Sequence, residues 1–158
     1  MLITHFFGEK YMTHRELMTR AIELAKEAMN DGEIPVGAVI AKDGEIIAEG
    51  RNTREKEHNA LGHAEIQAID NACKALGDWR LSDCTMYVTL EPCPMCAGAI
   101  INARIKKVVY GAYDLKAGSC SSVISMFNLP YNHKPELQEG FMENDCKELM
   151  AEFFKKLR

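Results

Sequence analysis

Apolar positions recur along this chain at two spacings, and the change from one to the other marks its elements. Leu17, Ala21, Leu24 and Ala28 fall at helical intervals, the single stripe of a helix lying on a core. Thr13-His14-Arg15-Glu16 ahead of them is a capping box, with Met12 and Leu17 placed as a hydrophobic staple. Asn30-Asp31-Gly32 ends this helix. Val36–Ala41 is then apolar without interruption, the mark of a strand buried on both faces. Asp43-Gly44 is a two-residue hairpin signal, and Ile46–Glu49 is the return strand.

A charged loop, Arg51–His58, leads into a helix over Ala64–Leu76 that Gly77 closes. Thr85–Leu90 alternates as a strand, Pro94–Ala103 reads as a helix with Pro94 in its first turn, and Lys107–Ala112 is a further strand. From Leu90 to Lys107 the order is strand, helix, strand, which predicts a right-handed parallel crossover. Tyr113–Pro135 is irregular, and Leu137–Phe141 reads as a short edge strand. The last helix carries Cys146, Leu149, Met150, Phe153 and Leu157 on one face. Lys155, Lys156 and Arg158 sit at its end, where cations suit the helix dipole. The pattern predicts an α/β fold, a three-layer α/β/α sandwich around a mixed sheet of about five strands. Residues 13–158 read as a single domain, and residues 1–12 as an N-terminal extension expected to be poorly ordered.

Composition narrows the function classes. The chain has 158 residues, 47% hydrophobic and 27% charged, a soluble globular balance. No apolar run approaches the roughly 18 residues of a membrane span, and Met1–Gly8 lacks the flanks of a signal peptide. Of the six cysteines only Cys93 and Cys96 have ligand spacing, which favours metal chemistry in a reducing cytoplasm over a disulfide framework. The net charge of −4 argues against a protein that coats long nucleic acid by counterion release. A local basic surplus remains: Arg104, Lys106, Lys107 and Lys116 face only Asp114 within residues 101–118. No membrane partner and no DNA are expected.

The chemistry sits in His63-Ala64-Glu65 and Pro92-Cys93-Pro94-Met95-Cys96. His63, Cys93 and Cys96 make a three-ligand zinc set, which leaves the fourth position open for a water. Cys93 and Cys96 share one helical face at a helix amino end, where the dipole lowers thiol pKa values; both are expected to bind zinc as thiolates. Glu65 is about 200° around the helix from His63, poorly placed as a second ligand and better placed to move protons for the water. Other readings of the Cys-x-x-Cys are a redox pair or a structural zinc. The first does not need His-x-Glu upstream. The second needs a fourth protein ligand, and His5, His14, His58 and His133 have no matching Cys or His at ligand spacing.

His-x-Glu followed by Pro-Cys-x-x-Cys is the signature of zinc-dependent nucleobase deaminases. The likeness extends well beyond it. Glu33-Ile34-Pro35-Val36-Gly37-Ala38-Val39, Leu81–Met86, Tyr87-Val88-Thr89-Leu90-Glu91-Pro92-Cys93, Met95-Cys96-Ala97-Gly98-Ala99-Ile100 and Tyr110-Gly111-Ala112 all resemble the bacterial tRNA-specific adenosine deaminases. That resemblance runs from about Thr13 to Arg158. It implies a cytidine deaminase-like fold and a homodimer with one Zn2+ per subunit. It also implies hydrolytic conversion of adenosine to inosine at the wobble position of a tRNA anticodon stem-loop. His63, Cys93 and Cys96 match the family's zinc ligands, Glu65 its proton shuttle, and Asn52 an asparagine that hydrogen-bonds the purine. Asp114 matches a residue close to the RNA. Phe153-Phe154 matches an aromatic pair, with Phe153 on the core stripe and Phe154 off it and available for base stacking. Asn59-Ala60-Leu61-Gly62 and Leu115-Lys116-Ala117-Gly118-Ser119-Cys120 depart from the commonest family forms, which bears on RNA contacts and not on the metal set. The alternatives are a guanine or pyrimidine-nucleotide deaminase of the same superfamily, and, in another class, a non-catalytic zinc-stabilised RNA-binding module.

Overall fold

A five-stranded mixed sheet organises the protein, which the computed structural model describes over residues 11–157. The elements in order are α1 (His14–Asn30), β1 (Gly37–Lys42), β2 (Glu45–Arg51), α2 (Arg54–Glu57), α3 (Ala64–Leu76), β3 (Cys84–Leu90), α4 (Pro94–Asn102), β4 (Lys107–Ala112), a 3-10 turn (Met126–Asn128), β5 (Glu136–Gln138) and α5 (Glu143–Lys156). The strand order is β2-β1-β3-β4-β5. β1 runs antiparallel to β2 and to β3, whereas β3–β4 and β4–β5 are parallel. The β3-α4-β4 unit is therefore the parallel crossover that the sequence predicts.

Alternation along the strands decides the layers. Ala38, Ile40, Met86, Val88, Val108 and Tyr110 pack with α3 and α4 on one face. Their neighbours Val39, Ala41, Tyr87 and Val109 pack with α1 and α5 on the other. The capping box of α1 forms as expected: Glu16 N–H donates to Thr13 Oγ1 at 3.1 Å, and the Glu16 carboxylate accepts from Thr13 N–H. Asp43 and Gly44 both adopt positive φ, 51° and 76°, as a two-residue hairpin whose twist matches its strands requires. Tyr11 lies against Gly44, and Met12 N–H donates to Gly44 O at 3.0 Å. The expectation for the rest of the extension, residues 1–10, lies outside the described residues.

Helix α3 seats on β2 with almost no gap. A Cβ on Gly50 would lie 2.1 Å from Ala64 O, so only glycine lets the amino end of α3 approach the strand this closely. That contact fixes the height of His63 and Glu65 over the sheet.

Several details differ from expectation. The charged loop contains the one-turn helix α2, and the irregular stretch contains a 3-10 turn. β5 begins one residue early and ends at Gln138; Phe141 instead donates its N–H to Tyr110 O and packs in the α1/α5 layer. On α5, Cys146, Leu149 and Phe153 are buried, but Leu157 is exposed because the helix ends at Lys156.

Candidate metal centre and base pocket

Two helix amino termini converge at the end of the sheet where β3 finishes. His63 is the N-cap residue of α3 and Cys93 that of α4, with Pro94 in the first turn. Cys96 lies one turn into α4, fully buried. His63 Nδ1 is 3.6 Å from Cys93 Sγ and 3.5 Å from Cys96 Sγ. The three ligand atoms lie within 4.8 Å of one another, the one group among the described residues able to hold a metal. Tetrahedral zinc bonds of about 2.05 Å to nitrogen and about 2.3 Å to sulfur place these atoms about 3.6 Å apart. The donor set and its spacing both fit that ion.

The two thiols are shifted in opposite directions. A hydrogen bond with Cys96, then one with His63 and the Cys96 backbone N–H, lowers Cys93 to about 4 despite burial. The same Cys93 bond, with burial, raises Cys96 far above an ordinary thiol. The expectation of two thiolates concerns the pair with zinc bound. Two adjacent anions in a buried site repel more strongly than one helix dipole can offset, and a divalent cation is what would make both anionic.

A cavity of about 180 Å³ opens beside these ligands, lined by His63, Glu65, Cys93, Asn52, Arg54, Glu91, Asp114 and Ala117 among others. Glu65 is 3% exposed. Burial pushes its carboxyl up to about 7, although the Cys96 thiol hydrogen-bonds to it. Asn52, 8% exposed, donates from Nδ2 to Ile34 O at 3.2 Å and accepts at Oδ1 from Arg54 N–H at 3.1 Å. An amide has two donor hydrogens and two acceptor lone pairs, so one of each is left for another partner. Asp114 accepts at Oδ1 from Lys116 N–H and Ala117 N–H, both at 3.1 Å. Phe154 is 49% exposed on α5, edge-to-face with Phe153, and is not among the cavity's lining residues.

Comparison with known proteins decides the family. Residues 12–158 match the model of the MafB19-like deaminase family. The tRNA-specific adenosine deaminase of Bacillus subtilis (strain 168) is 48% identical over 149 residues, covering 93% of this chain and 92% of the relative. The chain belongs to the family of bacterial tRNA-specific adenosine deaminases. A solved structure from a study of A-to-I editing by tRNA:A34 deaminases superposes on this deaminase with a TM-score of 0.84 at 40% identity, covering 86% of this chain and 99% of that one. A guanine deaminase from Bacillus subtilis superposes less well, with a TM-score of 0.64 at 38% identity, covering 89% and 93%.

Two buried carboxylates near the deaminase's cavity were not singled out from the sequence. Glu33, 1% exposed, accepts from Glu55 N–H at 2.6 Å and Lys56 N–H at 3.0 Å, and so caps α2. Glu91, 2% exposed, does the same for the loop after β4. The one available signal for Glu91 is its position, a charged residue between an apolar strand and Pro92.

Proposed function

We propose that this deaminase hydrolyses the 6-amino group of adenosine at the tRNA wobble position, giving inosine and ammonia. The carrying observation is the meeting of the His63, Cys93 and Cys96 ligand atoms with buried Glu65 on one wall of a cavity that Asn52 also lines. Near-full-length likeness to tRNA-specific adenosine deaminases supports the substrate.

His63, Cys93 and Cys96 would hold one zinc ion, which when bound supplies Lewis-acid activation of a water, lowering its pKa from 15.7 to about 7. Glu65 takes one proton from the attacking water and gives it to the ring nitrogen, then takes the second from the new hydroxyl on carbon 6 and gives it to the amine, which leaves as ammonia. Burial favours the neutral form of its carboxyl. Asn52 holds the purine edge with the N–H and lone pair that Ile34 and Arg54 leave over. Asp114 stands at the cavity wall toward the RNA backbone, and Phe154 offers a ring for an adjacent loop base.

The protein assembles as a homodimer. A groove of about 660 Å³ beside α4, with Leu61, Met95, Ile101, Met126 and Tyr131 in its lining, is the surface assigned to self-association. Sedimentation of Leu61→Asp against wild type checks this; a monomeric wild type refutes it.

Inosine formation on an anticodon stem-loop with adenosine at the wobble position, run beside free guanine and deoxycytidylate, tests the substrate. Turnover of RNA adenosine is expected. Turnover of guanine without RNA moves the protein to the guanine deaminases, and zinc-loaded protein that binds RNA without any turnover is a binding module.

A further inference from the structure

Loop residues 113–122 have little regular structure, yet they form the cavity wall that carries Asp114 and Ala117. What gives the wall a shape is one side chain. Glu91 Oε1 accepts from Asp114 N–H at 3.1 Å and from the Ser122 hydroxyl at 2.5 Å. Its Oε2 accepts from the N–H groups of Cys120 at 3.2 Å and of Ser121 and Ser122 at 2.9 Å each. Main-chain bonds complete the seam, with Ser119 N–H on Pro92 O at 2.8 Å and Glu91 N–H on Ala112 O at 2.9 Å. The approach is close enough that a Cβ on Gly118 would lie 2.3 Å from the Glu91 carboxyl carbon.

We propose that Glu91 is a positioning residue for the substrate base, fixing the 113–122 wall at a set distance from Cys93 and Glu65. This deepens the proposed deamination and rests on it. Glu91 precedes Cys93 by two residues on the same strand exit, so one rigid segment carries both the metal ligand and the anchor of the opposite wall. Four backbone donors on a single carboxylate leave the loop one arrangement, because a buried N–H without an acceptor is costly. Glutamine keeps the shape of glutamate but puts an NH2 group against one of the two sets of donors. Glu91→Gln therefore releases part of the wall without opening a hole.

The test uses the full, zinc-loaded protein as wild type, Glu91→Gln, Ser122→Ala and Ile105→Val. The last is a buried core change two residues before β4 begins and serves as a stability control. Zinc content, kcat and KM on the stem-loop, and amide hydrogen exchange are measured at a temperature where all four are folded. Glu91→Gln should keep one zinc per chain, exchange faster across 114–122, and raise KM about 10-fold or more with a smaller change in kcat, as displacement of a wall by a fraction of an ångström implies. Ser122→Ala, which removes a single donor, should move KM the same way by about 2- to 5-fold, and carries the test if Glu91→Gln does not fold. Kinetics of Glu91→Gln equal to those of Ile105→Val overturn the proposal, as does loss of activity in proportion to loss of zinc. Wild-type turnover reports separately on the deaminase reading. Should it fail on every base, the exchange comparison still decides whether Glu91 holds the wall.

Discussion

Substituting Gly50 by alanine is a sharp test of how the metal centre is built, because the residue is neither a candidate metal ligand nor one of the cavity's lining residues. The added Cβ would lie 2.1 Å from Ala64 O, 2.7 Å from Ala68 N and 3.0 Å from Gln67 Cβ. Ordinary contact begins near 3.4 Å, so the amino end of α3 must retreat by roughly 1 Å, the difference between these separations. His63 caps that end and moves with it. Its Nδ1 now lies 3.5 and 3.6 Å from the two sulfurs, and zinc sites tolerate only about 0.2 Å in ligand distance. Overpacking of this kind costs about 1–3 kcal/mol, and each kcal/mol lowers Tm by about 2–4 °C in a domain of this size. Gly50→Ala should therefore melt lower by about 2–12 °C, bind zinc more weakly in a competition titration with a chromogenic chelator, and lose about 100-fold in turnover, the effect of a 1 Å misplacement. A Gly50→Ala protein with wild-type melting, zinc affinity and turnover would refute the argument that this helix-strand contact sets the position of His63.

Glu65→Gln keeps the shape of the side chain and removes its proton transfer. Its kcat should fall by about 10²–10⁴ while zinc content by elemental analysis stays at the wild-type value; retained turnover rules out the assigned role. Thr13→Ala removes the hydroxyl that accepts from Glu16 N–H and leaves the reciprocal backbone bond to the Glu16 carboxylate in place; it should cost about 1 kcal/mol in urea unfolding, with no change in KM. Cys146, raised by burial to about 12 from an ordinary 9.0, gives a pH dependence. Above pH 9 the unfolded thiol ionises while the folded one stays protonated, so the folded state binds more protons and stability falls as pH rises from 9 toward 12. Below pH 9 this thiol contributes no slope, and Cys146→Ala should show a shallower alkaline decline than wild type.

The fold was legible wherever a local pattern had one physical meaning. Asp43-Gly44 permits few backbones other than a tight hairpin, and the Thr13–Glu16 box has one use. The grouping of His63, Cys93 and Cys96 was legible because metal-ligand sets use particular residue types at particular spacings. The roles of Glu33 and Glu91 were not, because a carboxylate bound for the interior looks in sequence like one bound for water. Their partners lie 22 to 31 residues away. Helix α2 was hidden for the same reason, since a four-residue helix capped by Glu33 owes its existence to a distant residue. Leu157 fits the helical period of α5, but period does not say where a helix stops.

The two loops beside the cavity are each tied by backbone amides to a carboxylate sunk in the fold, two on Glu33 on one side and four on Glu91 on the other. Enzyme walls held in this way have little freedom to reach toward a base, so under the proposed function the RNA does the deforming. Extracting a base from a stacked duplex costs a few kcal/mol, and least where the base is already unpaired. A stiff receptor thus sorts RNA by mechanical compliance before any hydrogen bond reads a base edge, and an anticodon loop passes where a stem does not.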